Sequence, residues 1–236
     1  MDESLQILII DDDPNVHQVL AFALLRDGLK VISAYNTKQA HRCLVDEKVD
    51  LVILDVLMPG QSGTAFCKDL REKAASKIAA LPILFLSSLS DEEDRVLGLE
   101  IGGDDYMTKP FSPKEVVTKV KAMLRRSCFS KVSHEATLIE KADLKLNSQD
   151  YSLSNVSADD NKIALTLTEF ALLELLMNNY GNVVSKDTLS RELYAGEVAY
   201  DDQRIKNHIK RLRAKLKKIN SNTSIEAVYG VGFKMV

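Results

Sequence analysis

The chain has few cysteines, and their arrangement indicates neither a metal site nor a disulfide framework. Its three cysteines, Cys43, Cys67 and Cys128, lie far apart, and an odd count argues against a set of disulfides. Long apolar runs are also missing, since none approaches the roughly 18 residues of a membrane-spanning helix. The amino terminus lacks the basic region and apolar segment of a secretory signal. These absences predict a cytoplasmic protein with no membrane partner.

Length and charge bound the domain organisation. At 236 residues, the chain can form two domains of roughly 100–130 residues, each with its own core. The net charge of −3 would by itself argue against a nucleic-acid-binding protein. The charge is unevenly distributed, however: residues 1–126 carry 16 basic and 20 acidic residues, whereas residues 127–236 carry 15 basic and 14 acidic ones. The second half is therefore the candidate for a contact with nucleic acid.

Acidic residues follow two apolar, strand-like runs. Leu5–Ile10 precedes Asp11–Asp13, and Val52–Leu54 precedes Asp55. Apolar runs of this length with β-branched residues suit parallel strands that are covered on both faces. Ligands of such sheets bind at the carboxyl ends of the strands. We therefore expect these acids to meet at one edge of a parallel sheet.

Acids that lie this close repel one another unless a cation is bound among them. Mg²⁺ prefers oxygen ligands and is commonly held by one or two carboxylates together with phosphate oxygens. Two later strand-like runs end in a hydroxyl at Ser87 and an ammonium at Lys109. This set predicts a phosphoryl-transfer site in which Asp55 is the nucleophile and Ser87 donates a hydrogen bond. Lys109 and Mg²⁺ would neutralise the phosphoryl oxygens.

Each of these residues alone has a simpler explanation. A carboxylate at the end of a strand is often a helix cap, and Asp13 before Pro14 fits an N-cap followed by proline at the first helical position. We assign Asp13 that capping role. The ordered set at four strand ends is much harder to obtain by chance and favours a functional site.

Residues 5 to about 126 resemble the receiver domain of two-component response regulators. The resemblance rests on Asp11-Asp12, Leu54–Gly60, Ser87 and Lys109-Pro110-Phe111. It implies an α/β doubly wound fold with a five-stranded parallel sheet, in which Asp55 accepts a phosphoryl group from a sensor histidine kinase. It also implies that Asp11 and Asp12 support Mg²⁺, together with the backbone carbonyl of Leu57. Finally, it implies a cis bond between Lys109 and the following proline.

A basic stretch in the second half has helical periodicity. Residues 202–218 contain eight lysines or arginines and one acid. Apolar residues recur there at steps of four and three and form one stripe: Ile205, Ile209, Leu212, Leu216 and Ile219. At 100° per residue, the opposite face is predicted to carry Gln203, Asn207, Lys210, Arg211, Ala214 and Lys218. Arginine and asparagine on such a face suit the major groove of DNA, and a solubilising surface helix is the alternative.

The segments around this helix favour DNA binding. Thr166–Glu169 has the spacing of a capping box before an apolar helix, and Lys186–Leu193 predicts a short second helix. Ile225–Val228 and Phe233–Val236 flank a glycine turn and predict a terminal hairpin. Residues from about 138 to 236 thus resemble the winged-helix effector domain of OmpR/PhoB-type response regulators, an α+β winged helix-turn-helix fold. The matching motifs are Leu165–Phe170, His208–Arg213 and Gly230–Phe233. Strands before the helices are expected at Leu144–Leu146, Tyr151–Leu153 and Ile163–Leu165.

The resemblance also implies a set of DNA contacts: Arg204, Asn207, His208, Lys210, Arg211, Arg213, Tyr229 and Lys234. By family correspondence, Arg211 reads bases, whereas His208, Lys210 and Arg213 grip phosphates. The wing arginine that is common in the family falls on Tyr229 in this chain. The role of the wing is therefore the least defined part of the predicted interface.

Polar segments predict the connections. Residues 127–137 are serine-rich and lack sustained periodicity, so they are expected to be a linker between a receiver domain at 1–126 and an effector domain at 138–236. The polar stretch Ser154–Asn161 is expected to be a loop inside the effector's first sheet.

The last part of the receiver predicts a regulated dimer. Ser90 and Glu93 have the spacing of a capping box for a fourth helix, and a fifth helix is expected after Ser112. The acids between them are expected to be exposed. The segment resembles the family's dimer face on the fourth helix, fifth strand and fifth helix, which implies these contacts: Arg95, Val96, Leu99, Glu100, Asp104, Asp105, Val117, Lys119, Lys121 and Arg126. Movement of Ser87 and inward rotation of Tyr106 would switch this face, so that a phosphorylated homodimer binds direct-repeat DNA sites and meets RNA polymerase.

Two other functions stay open. The acids could belong to a Mg²⁺-dependent phosphohydrolase, although nothing in the sequence supplies a substrate pocket. The protein could also be a DNA-binding regulator that uses its receiver only as a dimerisation scaffold, which the complete phosphorylation set disfavours. The sequence indicates neither the cognate kinase nor whether transcription is activated or repressed.

Overall fold

The chain folds as two units, which the computed structural model describes at residues 4–73, 76–88, 98–132, 138–194 and 202–236. Within these ranges, side chains are described except at 76, 126–132 and 158–160. The division between the units lies at Leu124 and Arg125, close to the predicted end of the receiver. Among the described residues, no helix combines the length and the apolar character that crossing a membrane requires.

Five parallel strands form the sheet of the first unit. They are β1 (Gln6–Ile10), β2 (Lys30–Ala34), β3 (Leu51–Asp55), β4 (Ile83–Ser87) and β5 (Asp105–Thr108), in the order β2-β1-β3-β4-β5. The order reverses between β1 and β3, because the chain leaves β1 in one direction and returns on its other side. Such a reversal opens a crevice at the carboxyl ends of the two strands. Asp11 and Asp55 lie at that crevice.

Helices cover both faces of this sheet: α1 (Pro14–Arg26), α2 (Thr37–Asp46), α3 (Gly63–Lys73), the short α4 (Ser76–Ala79) and α5 (Pro113–Val132). Side chains of successive strand residues point to opposite faces, so the apolar strands supply two separate cores. This explains why their sequences are almost continuously apolar. Asp13 caps α1 by accepting a hydrogen bond from the Asn15 amide at 2.8 Å, which confirms its predicted role.

The predicted fourth helix and the segment after residue 127 need separate comment. The predicted fourth helix lies mostly outside the described residues, including its capping pair Ser90 and Glu93; only its end, at 98–101, is described as helical. The helix predicted as the fifth, α5, continues to Val132 and so occupies about half of the expected linker. Residues 127–132, the first half of the expected linker, are therefore helical. Residues 114–132 contain neither glycine nor proline, so nothing in the backbone stops the helix there.

The effector unit begins with a four-stranded antiparallel sheet. Its strands β6 (Leu138–Lys141), β7 (Leu144–Asn147), β8 (Ser152–Asn155) and β9 (Ala158–Ala164) pair in sequence order. The predicted strands are confirmed, but the loop expected at Ser154–Asn161 is wrong, because only a two-residue turn separates β8 from β9. β9 lies at the sheet edge, where one solvated face tolerates polar side chains.

Three helices and a second sheet complete the effector. They are α6 (Leu167–Asn178), β10 (Val183–Ser185), α7 (Lys186–Tyr194), α8 (Asp202–Lys218), β11 (Ile225–Val228) and β12 (Gly232–Met235). Thr166 and Glu169 form the predicted capping box at the start of α6. The hairpin of β11 and β12 is the predicted wing, and β10 adds a third strand that the sequence did not indicate. A Cβ at Gly232 would lie 2.0 Å from the carbonyl oxygen of Val184, so this close pairing requires glycine.

Candidate phosphorylation site and DNA-binding surface

Three carboxylates converge at the crevice of the first sheet. Ligand oxygens of Asp11, Asp12 and Asp55 all lie within 4.8 Å of one another. Asp11 and Asp55 are buried, with 1% and 5% of their surface exposed, whereas Asp12 is exposed. Gly63 lets α3 begin against this strand end, since a Cβ there would lie 1.9 Å from the Asp55 carbonyl oxygen. The sheet edge therefore carries the predicted acidic cluster.

Lys109 joins the two buried acids. Its Nζ donates to Asp11 Oδ2 at 2.8 Å and to Asp55 Oδ2 at 3.0 Å. The bond between Lys109 and Pro110 is cis, as the resemblance implied. The Lys109 amide donates to the carbonyl oxygen of Ser87 at 2.6 Å, so the ends of β4 and β5 are connected beside the acids.

The electrostatics of the cluster are unbalanced. Burial raises the pKa of Asp55, and the nearby Asp11 carboxylate raises it further, although the hydrogen bond from Lys109 opposes this. Burial lowers the pKa of Lys109, but its hydrogen bonds to Asp11 and Asp55 prevail and raise it. Three carboxylates thus lie together while Lys109 bonds two of them, an excess of negative charge that suits a divalent cation. These ligands fit Mg²⁺, because they are carboxylate oxygens and because Asp12 is open to solvent, where the ion can keep some of its waters.

The remaining predicted residues of the pocket surround Asp55. Ser87 is fully buried at the end of β4. The Leu57 amide donates to Asp55 Oδ1 at 3.3 Å, while the Leu57 side chain is half exposed. Tyr106 is buried, and its ring centroid lies 6.5 Å from that of Phe85. Tyr106 thus occupies an inward position in this structure.

The predicted dimer face differs from expectation in its charges. Asp104 and Asp105 were expected to be exposed, but both are buried. Asp104 forms an ion pair with Arg71 of α3 at 3.1 Å, and Asp105 pairs with Lys119 of α5 at 2.9 Å. The prediction was wrong because both partners lie on helices, α3 and α5, whose contacts the local sequence pattern does not show.

The rest of this face is only partly described. Leu99 and Val117 are buried, Glu100 is half-buried, and Lys121 forms an ion pair with Asp27. Arg95, Val96 and the side chain of Arg126 lie outside the described residues.

In the effector, α8 buries the predicted apolar stripe but presents a different basic face. The exposed residues are Lys206, Lys210, Arg213, Ala214, Lys217 and Lys218. Asn207 was expected on the outer face and is 3% exposed, so that prediction was wrong. Two residues assigned by family correspondence, Arg204 and His208, are also buried. On one side of α8, Arg211 pairs with Glu169 of α6, and the Arg204 guanidinium lies 4.2 Å from the ring centroid of Tyr194 of α7. The exposed basic residues therefore lie on the other side of the predicted face.

Arg211 is held by the effector itself. Its Nε lies 3.2 Å from Glu169 Oε1, and its side chain is only 13% exposed. Glu169 also accepts from Lys215 Nζ at 2.6 Å. Burial alone would raise the pKa of Glu169, but Lys215 and Arg211 lower it to about 2. Glu169 therefore stays ionised and binds the residue that was predicted to read bases.

The wing and α8 form a basic groove. It is lined by Lys186, Lys206, Ile209, Arg213, Ala227, Val228, Tyr229, Gly230, Gly232 and Phe233. Tyr229 is fully exposed at the turn, and Lys234 is half-buried on β12. Lys186 and Lys206 were missed by the sequence reasoning. The predicted DNA-binding face was centred opposite the apolar stripe, at about 180° around the helix. Lys206 lies only about 100° from Ile205, and a face centred there would have included it.

Comparisons with known proteins agree with both units. The family described as "Response regulator receiver domain" matches residues 7–121, and "Transcriptional regulatory protein, C terminal" matches residues 160–235. VanR of Enterococcus faecium is 35% identical over 234 residues, which cover 98% of each chain. PhoP of Bacillus subtilis is 37% identical over 240 residues, covering 98% of this chain and 96% of PhoP. PhoB of Escherichia coli is 33% identical over 229 residues, covering 97% and 96% respectively.

Solved structures support the fold. A RitR mutant superimposes with a TM-score of 0.83 over 99% of both chains at 21% identity. DrrB of Thermotoga maritima, an OmpR/PhoB homologue, gives a TM-score of 0.50 over 99% of both chains at 26% identity. A receiver fold followed by a winged-helix effector defines a DNA-binding response regulator. The chain belongs to the OmpR/PhoB family of two-component response regulators, which regulate transcription.

Proposed function

We propose that a sensor histidine kinase phosphorylates this response regulator at Asp55 and that Mg²⁺ binds beside it. The observation that carries the proposal is the double contact of Lys109, whose ammonium bridges Asp11 and Asp55. An ammonium in this position can stabilise the negative charge that develops on a phosphoryl oxygen during transfer to Asp55.

The residues have distinct roles in the proposed transfer. A carboxylate oxygen of Asp55 attacks phosphorus, and the bond from phosphorus to the kinase's histidine nitrogen breaks, leaving its electron pair on the imidazole. Lys109 neutralises one phosphoryl oxygen, and the Ser87 hydroxyl donates a hydrogen bond to another. Asp11, Asp12 and Asp55, with the Leu57 carbonyl, would hold Mg²⁺, which supplies positive charge to the remaining oxygens when bound.

Labelling of the full chain tests this assignment. Wild-type protein incubated with acetyl phosphate and Mg²⁺ should give a retarded band on a Phos-tag gel. Asp55→Asn should give none, because an amide is not a nucleophile. Asp13→Asn is the matched control and should label normally, since asparagine also caps a helix and position 13 is outside the cluster. A retarded band of wild-type intensity with Asp55→Asn would refute the proposed acceptor.

We further propose that phosphorylation favours a homodimer through the helix that ends at residue 101, β5 and α5. Lys119 and Lys121 already pair with Asp105 and Asp27 in one protomer. A second copy must therefore compete with these internal partners, which would make the dimer conditional on a change in this face. Arg95→Glu should keep the protein monomeric in analytical ultracentrifugation with beryllofluoride, whereas Arg42→Glu on α2 should dimerise. Dimerisation of the Arg95 variant would indicate another interface.

For the effector, we propose that the exposed face of α8 enters the major groove of double-stranded DNA. Lys206, Lys210, Arg213 and Lys217 line this face and suit phosphate contacts. Arg211 can read a base only if it leaves Glu169. Binding to direct repeats would then bring the effector to promoters, where RNA polymerase is the expected partner.

A further inference from the structure

Every polar group of Asp11 has a hydrogen-bond partner. Its amide donates to the Ala34 carbonyl at 3.2 Å. Its Oδ1 accepts from the Asp13 amide at 2.9 Å, and its Oδ2 accepts from Lys109 at 2.8 Å. Its backbone carbonyl lies 2.8 Å from Nε2 of His17. Two of these partners are backbone groups and the third, Lys109, belongs to the phosphorylation site. The fourth partner, His17, is not part of that site.

His17 is built firmly into its place. It lies on α1 and is only 4% exposed. Its Nδ1 lies 2.9 Å from Ser33 Oγ, and its ring centroid lies 4.3 Å from that of Tyr35. The side chain therefore connects α1 and β2 to the end of β1.

Chemistry fixes which ring nitrogen carries the proton. A carbonyl oxygen can only accept, so Nε2 must donate to Asp11. In the neutral ring Nδ1 is then the acceptor, and the Ser33 hydroxyl donates to it. Ser33 thus holds His17 in the tautomer and the orientation that the contact with Asp11 requires.

We propose that His17 is a positioning residue for the cation site. By holding the Asp11 carbonyl, it fixes the backbone from which the Asp11 carboxylate projects and so sets the affinity for Mg²⁺. This inference depends on the proposed role of the acidic cluster in binding Mg²⁺. Partners that orient a metal ligand commonly change affinity about 10- to 100-fold when they are removed.

The test is isothermal titration calorimetry of the full chain with Mg²⁺, together with thermal unfolding in EDTA. His17→Leu should weaken Mg²⁺ binding about tenfold. His17→Gln should restore most of the affinity, because its amide nitrogen can donate to the same carbonyl. Ser33→Ala should weaken Mg²⁺ binding less than His17→Leu does. It keeps the Nε2 donor of His17 but removes the hydroxyl that orients the ring. His41→Leu, on α2, is the control and should bind Mg²⁺ like wild type.

The outcomes separate positioning from stability. If His17→Leu unfolds at lower temperature but binds Mg²⁺ with wild-type affinity, His17 is only structural and the inference is overturned. Should His17→Leu not fold, wild-type affinity in Ser33→Ala would overturn it equally. Absence of Mg²⁺ binding by the wild type would instead refute the proposed cation site itself, before His17 is considered.

Discussion

Asp55 is a buried acid whose ionisation costs folding free energy. Its pKa is raised, mainly by burial. A carboxyl group whose pKa is raised by folding does not lower the free energy of unfolding at a pH below its ordinary pKa. The loss of stability develops as the pH rises from the ordinary to the raised pKa, and it is complete above the raised pKa. The hydrogen bond that Lys109 donates to the Asp55 carboxylate opposes this penalty.

This gives a prediction for Asp55→Asn. In EDTA at pH 7.5, the variant should unfold at a higher temperature than the wild type, because the ionisation penalty is gone. The wild type should gain about 2.7 kcal/mol when free Mg²⁺ is a hundred times its dissociation constant. The variant should gain less at the same concentration, since one ligand has lost its charge. Calorimetry with and without Mg²⁺ measures both effects, and an equal gain in the two proteins would contradict Asp55 as a ligand.

DNA contacts can also be assigned residue by residue. Lys206→Ala and Lys210→Ala should weaken binding to all sequences alike and reduce the salt slope by about one each, as expected for phosphate contacts. Arg211→Ala should relax specificity at one or two base pairs, at a cost of about 1–3 kcal/mol there. Lys141→Ala, on β6 outside α8 and the wing, is the control. Titrations against single-base operator variants at several salt concentrations decide the assignment. A uniform loss of affinity with Arg211→Ala would mean that Arg211 does not read bases.

At the scale of elements, α6 and α8 are joined through Glu169. The depressed pKa means that Glu169 stabilises the effector above its ordinary pKa and that this stabilisation is lost as the pH falls toward 2. Glu169→Gln should therefore destabilise the effector by about 3 kcal/mol at pH 7, and the difference from wild type should shrink progressively below pH 4. Calorimetric transitions from pH 7 to pH 2 measure this dependence.

Glu174 provides a control of opposite sign on the same helix. Burial raises its pKa, so Glu174→Gln should leave stability unchanged or increase it at pH 7. If both glutamine variants lose the same stability with the same pH dependence, the ion pairs of Glu169 are not the cause.

The elements were largely predictable because their signals are local. The apolar runs before Asp11 and Asp55 gave both strands and the position of the acids, and the Thr166 capping box gave the start of α6. Two connections carry more regular structure than their sequences indicated: α5 extends into the expected linker, and the polar residues after β8 form the edge strand β9. Both segments are held by backbone hydrogen bonds, which the periodicity of the side chains does not reveal.

Across the two units, three of the mispredicted exposures share one cause. Asp104, Asp105 and Arg211 each pair with a residue of another element, namely Arg71, Lys119 and Glu169. Periodicity within one helix cannot show what a neighbouring helix covers. The proposed role of His17 could not be predicted either, because it depends on Asp11, Ser33 and Tyr35 meeting around its ring.

The two domains together predict the layout of the DNA site. A dimer on tandem sites must present both copies of α8 to the same side of the duplex, so half-sites should repeat about 10–10.5 base pairs apart. Insertion of about five base pairs between half-sites should abolish cooperative binding, whereas insertion of a full turn should restore part of it. Equal affinity at every spacing, measured by gel shift, would argue against binding as a joined pair.

Asp55 is the proposed carrier of the phosphoryl group. Borohydride reduction of an aspartyl phosphate yields homoserine, which mass spectrometry can locate in the chain. After incubation of the full-length protein with acetyl phosphate and Mg²⁺, reduction should give homoserine at position 55, and omission of Mg²⁺ should suppress it. Homoserine at another aspartate, or none at position 55 under conditions that label the protein, would contradict the account.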